Sequence, residues 1–147
     1  MIDTQKFKKM ILQDANKLPF LTLDEFFAEN TDEYAIAPNQ CDEGRPSLTE
    51  MYQFFGEIEK NPAVEWIRVS VHCDTQIIEK NGTEKLELYG DTVVICANET
   101  AENLEKYTRC DWLCSDGIVE RKLSDYENFS FIPPIKKGNR LFEIWWD

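Results

Sequence analysis

VEWIRVSVHC, residues 64–73, alternates Ile67, Val69 and Val71 with Trp66, Arg68, Ser70 and His72. A period of two is the signature of a strand with one face buried. The segments downstream keep the same character. TQIIEKNGTEKLELY carries Asn81-Gly82 between two alternating runs, a hairpin with a two-residue turn. DTVVICA is apolar on both faces, which predicts a central strand. Thr100 caps a short helix running to Tyr107. IVERKL and RLFEIWWD predict two more strands, separated by the turn-rich FIPPIKKGN.

Upstream of residue 64 the period is helical. Phe7, Met10, Ile11, Ala15 and Leu18 form one stripe that Pro19 ends. Thr22 and Glu25 make a capping box, with Leu21 and Phe26 as its hydrophobic staple, and open a helix from Leu23 to Glu29. Ser47 and Glu50 repeat the box ahead of the stripe Leu48, Met51, Tyr52, Phe55 and Ile58. Between them NTDEYAIAPNQCDEGRP has no period and reads as a long loop. Helices first and strands after predict a single α+β domain over residues 1–147, its largely antiparallel sheet covered by the N-terminal helices on one face.

The last strand, RLFEIWWD, sets Leu141, Glu143 and Trp145 against Phe142, Ile144 and Trp146. Trp146 belongs with the apolar set and is expected in the core. Trp145, beside Glu143, is expected on the outer face.

The net charge of −12, from 28 acids and 16 bases, is unsuited to phosphate backbones or anionic membrane surfaces, so neither nucleic acid nor membrane is expected as a partner. No apolar run approaches the roughly 20 residues of a membrane span. MIDTQKFKKMILQ has no secretory pattern, and five cysteines without a framework suit free thiols, so a cytoplasmic protein is expected. The acid is concentrated. Leu21–Glu50 holds Asp24, Glu25, Glu29, Asp32, Glu33, Asp42, Glu43 and Glu50 against Arg45 alone, a net −7.

Motifs for chemistry are sparse. The one histidine, His72, adjoins Cys73, and neighbours on a strand point to opposite faces, which argues against a dyad. Cys110 and Cys114 have zinc-like spacing but no second pair. The six glycines form no phosphate loop, and Asp32, Glu33, Asp42 and Glu43 lack the spacing of a calcium loop. No catalytic residue, metal or cofactor is expected. The outward set Trp66, Arg68, Ser70 and His72 reads first as a packed outer face and second as a binding surface.

Leu23, Phe26, Phe27, Asn30, Asp32 and Glu33, with the terminal Trp145-Trp146-Asp147, resemble a group of small uncharacterised bacterial proteins patterned L-x-x-F-F-x-x-N-x-D-E near the front and W-W-D at the end. The hairpin at Asn81-Gly82 and the cysteines depart from that pattern. The resemblance implies a stand-alone domain, supplies no catalytic residue, and points toward immunity proteins of bacterial toxin systems. Charge and resemblance together predict a non-enzymatic domain whose acidic surface binds a basic protein, through Asp32, Glu33, Asp42, Glu43 and Trp145. A small-ligand protein or enzyme with a pocket between helices and sheet is the alternative.

Overall fold

The computed structural model describes all 147 residues. The alternating stretch becomes β2 (Val64–Val71), which pairs antiparallel with β1 (Leu18–Leu21) on one side and β5 (Gly90–Ala97) on the other. β5 pairs antiparallel with β8 (Arg140–Trp145), and β8 with β6 (Gly117–Arg121). One parallel ladder joins β1 to the two-residue β7 (Phe129–Ser130). The six strands run in the order β6-β8-β5-β2-β1-β7, with DTVVICA in the interior as its two apolar faces require. β3 (Gln76–Lys80) and β4 (Thr83–Glu87) form a separate two-stranded sheet. Their turn puts Asn81 at φ 54° and Gly82 at φ 76°, the left-handed pair that a two-residue hairpin needs.

Both capping boxes form. Thr22 Oγ1 accepts from the Glu25 amide at 3.1 Å while Glu25 Oε1 accepts from the Thr22 amide at 2.9 Å. Ser47 and Glu50 do the same ahead of α4 (Leu48–Glu59), and Thr100 caps α5 (Ala101–Thr108). α1 (Thr4–Gln13), α2 (Leu23–Phe27), α4 and α5 turn Phe7, Phe26, Phe55 and Leu104 into one core with Ile67, Val69, Val93, Ile95, Phe142 and Ile144. The opposite face is also covered. Phe20, Trp66, Val94, Cys96 and Leu141 pack under Tyr126 of a 3₁₀ turn and under the half-buried Phe129, Ile132 and Ile135. Trp66, from the outward set of β2, therefore lies beneath the strap that follows the 3₁₀ turn, and its Nε1 donates to Pro134 O at 3.2 Å.

Three expectations change. The first helix stops at Gln13, Ala15 is exposed, and Leu18 and Pro19 belong to β1. That strand has only four residues, with Phe20 in one core and Leu21 in the other, too short for its period to compete with the helical stripe. The loop after Asn30 holds a 3₁₀ turn (Glu33–Ala35) and a single helical turn, α3 (Pro38–Cys41), again below the length at which periodicity shows. His72 and Cys73 lie past the end of β2, so strand alternation does not separate their side chains. No helix is long and apolar enough to cross a membrane.

Candidate functional site

Where β2 ends and β5 begins, the chain opens a cavity of about 300 Å³. His72, Asp74, Tyr89, Gly90 and Asp91 wall one side, residues 35 and 37–40 of the acidic loop another, and Trp146 and Asp147 close it. The titratable lining is His72, Asp74, Tyr89, Asp91 and Asp147, with no lysine or arginine.

Local chemistry holds each wall. The His72 amide donates to Tyr89 O at 2.8 Å, clamping the two strand ends together. A Cβ on Gly90 would stand 2.8 Å from Phe26 Cζ and 3.0 Å from Val69 Cγ1. Glycine lets β5 start this close to α2, which sets Asp91 at the cavity wall. Ala37 is buried in the left-handed region at φ 48°, ψ 53°, a conformation alanine adopts only under constraint from its surroundings. Gln40 Nε2 and Asn39 Nδ2 then donate to Asp147 O at 2.7 and 3.2 Å, tying loop to C-terminal segment. Trp146 Nε1 donates to Leu113 O at 2.9 Å, so its only polar group is engaged outside the lining. Gln40 Oε1 is buried and has no hydrogen-bond partner.

The field is negative. Asp91 reaches solvent, yet the mass around it desolvates the carboxylate and raises its pKa, against the pull of His72 and with the push of Glu143. Tyr89 is raised as well, by desolvation first and then by Glu87, Asp32 and Asp74.

His72 Nδ1 has two neighbours that ask for opposite protonation. The Asp74 amide donates to it at 3.1 Å, which needs a bare nitrogen, and Asp74 Oδ2 lies 3.6 Å away, which suits a protonated one. The shorter contact is in hydrogen-bonding range, so Nδ1 is read as the acceptor of the Asp74 amide. Cys73 Sγ is 3.9 Å from the same nitrogen, and His72, Cys73 and Asp74 are the one group of side chains near enough to share a metal ion. Nδ1 already serves the Asp74 amide, and Cys73 and Asp74 are exposed. The trio is therefore a weak cation cage and a poor nucleophile–base pair. Cys110 and Cys114 do not join it.

None of the five residues named from the sequence lines the cavity. Asp32 is exposed and caps the 3₁₀ turn by accepting from the Tyr34 amide. Glu33 accepts from Arg45 and from the Leu48 amide. Asp42 and Glu43 are exposed on the turn after α3. Trp145 is 37% exposed at the end of β8, while Trp146, one residue past it, is half-buried against the main core. What sequence reasoning missed is the convergence of Asp74, Asp91, Gln40 and Asp147. One signal was present: HCD directly follows one long strand and YGD leads into its antiparallel neighbour, which sets the two acids at the same end of the pair.

The family model described as "Uncharacterized protein YfbO family" matches residues 2–144. The chain belongs to that family. None of the curated proteins and none of the solved structures matches it. YfbO family membership thus agrees with the resemblance to a small uncharacterised family and assigns no activity to the cavity.

Proposed function

We propose that this chain is a non-enzymatic binding domain whose acidic surface engages a basic protein partner in the cytoplasm, in its narrower form an immunity protein against a cationic toxin domain. One observation carries the reading. Arg45, the sole base among residues 21–50, is 6% exposed and turned onto Glu33, so the window presents no arginine or lysine to solvent. The cavity, part of whose wall is the same loop, adds acids and no base. Opposite potentials speed association and suppress wrong partners, and an acidic surface can fill a cleft shaped for phosphates. A pull-down from the native host at low and moderate salt tests it, with wild-type bait and bait carrying Asp32→Asn, Asp42→Asn and Glu43→Gln. A basic protein retained by the wild type, and lost on neutralisation or added salt, is the expected result. Equal recovery by both baits would reduce the window to a solubilising face.

The alternative, a pocket for a small ligand, has its own support in the convergence of His72, Asp74 and Asp91. A metabolite that raises the melting temperature while no protein partner is captured would favour it.

A further inference from the structure

A second cavity, of about 470 Å³, opens where α1, β1, β2 and the strap meet, and it shares no lining residue with the first. We infer that it binds an organic carboxylate with an aromatic body, the body resting on Phe20, Met10 and Phe131 and the carboxylate meeting Arg68 and Lys9. The inference does not depend on the acidic surface having a basic partner.

Charge sets this groove apart. In a chain of net charge −12, its lining holds Lys6, Lys9 and Arg68 against Glu25 alone. Lys6 is answered by Glu25 at 2.9 Å, whereas Lys9 and Arg68 form no ion pair. Lys9 is exposed on α1 and free to swing toward the groove. Arg68 is half-buried and held in place. Its Nη1 donates to Ile67 O at 2.8 Å, and its guanidinium carbon lies 5.8 Å from the centre of the Trp66 ring. The other guanidinium N–H groups have no partner within the chain, and a planar fork of donors matches a carboxylate.

The backbone supplies an observation independent of charge. Phe129 and Ile132 pack against the core under the strap, but Phe131 between them is 42% exposed and lines the cavity. Its φ of 59° is left-handed, a conformation that a bulky aromatic keeps only where its surroundings enforce it. One aromatic ring is thus held away from the core and beside the buried side chains of Phe20 and Met10.

These features select the ligand class. The volume falls within the roughly 300–1,000 Å³ of small-molecule sites, which pair an apolar lining with a few polar groups that fix orientation. An inorganic anion would leave the apolar surface bare. A neutral hydrocarbon would cover Arg68 without giving it a counter-charge.

The test is an NMR titration of the full chain with phenylacetate, beside phenylacetamide, which keeps the body without the charge, and acetate, which keeps the charge without the body. The expected result is saturable shifts at the Gln13, Thr22 and Phe131 amides and at the Arg68 Nε–H, strongest with phenylacetate and reduced by added salt. Lys9→Gln and Arg68→Gln should each weaken binding about threefold, as exposed or half-exposed charge contacts do, and Lys9→Glu should weaken it further. Lys9 is on the surface of α1, so an unchanged melting temperature in its variants shows that the fold is intact. Phe131→Ala should also weaken binding. Equal shifts from phenylacetamide would overturn the role of the two cations, and equal shifts from acetate would reduce the site to general anion capture. Shifts centred outside the groove, or full affinity in both Lys9→Glu and Arg68→Gln, would overturn the inference as a whole.

Discussion

Glu33 and Arg45, 12 residues apart, close the acidic loop on itself: Arg45 Nη2 donates to Glu33 O at 2.6 Å and to Glu33 Oε2 at 3.3 Å. The same carboxylate accepts from the Leu48 amide at 3.1 Å, at the first turn of α4. Arg45 is buried, with Nη1 donating to Pro46 O, so its charge depends on Glu33 for compensation. Among the acids of the loop, Glu33 braces it while Asp32, Asp42 and Glu43 are exposed.

That division is measurable. Glu33→Gln should cost roughly 1–3 kcal/mol, because it leaves a buried cation short of its counter-charge. Asp42→Asn with Glu43→Gln should change stability by less than about 0.5 kcal/mol, as exposed substitutions do. Urea midpoints for the two variants check both, and equal losses would contradict the assignment.

Asp91→Asn should raise the melting temperature at neutral pH. The folded-state pKa of Asp91 lies above its ordinary value of 3.8, through desolvation first. A carboxyl raised on folding favours the native state while protonated and costs stability once ionised above its folded pKa. Removing the charge relieves that cost. A lower melting temperature for the variant at pH 7 would show that Asp91 has a stabilising partner instead.

Glu25 behaves in the opposite sense. Burial pushes its pKa up, but the Thr22 amide, Lys6 at 2.9 Å and the Thr22 hydroxyl outweigh it, and the net shift is downward from 4.5. A carboxyl lowered on folding contributes stability that is present above its unfolded pKa and lost as pH falls through its folded pKa. Thermal melts should therefore decline below about pH 4.5, and Glu25→Gln should flatten that acid limb. An unchanged limb would assign the acid sensitivity to other carboxylates.

Trp146→Ala should destabilise by about 3 kcal/mol, through lost contact with the core and the abandoned Leu113 carbonyl. Trp145→Ala, at an exposed position, should cost much less. Comparable losses would mean that Trp145 has a packing partner of equal weight.

All five cysteines are free, and they should differ in reactivity. Burial, with Glu65 beside it, pushes the Cys96 thiol up to about 12, so at pH 8 it should react only on unfolding. Cys73 is exposed and should be alkylated first. Mass spectrometry after a timed maleimide pulse distinguishes the two, and early labelling of Cys96 would deny its burial.

The sequence by itself determined what depends on neighbours in the chain. The period of residues 64–71, the left-handed Asn81-Gly82 turn, both capping boxes and the interior placement of DTVVICA follow from contacts within a few residues, whose geometry is fixed by backbone sterics and side-chain period. The four residues of β1, the strap over Trp66 and the single turn of α3 were decided by packing, because their segments are too short for a period and their partners are distant in sequence. The cavity belongs wholly to tertiary structure. Asp74 and Asp91 are brought together by the pairing of β2 with β5, and Gln40 meets Asp147, 107 residues away, through one hydrogen bond. No local rule encodes such a meeting, since its free energy comes from the closure of the whole sheet.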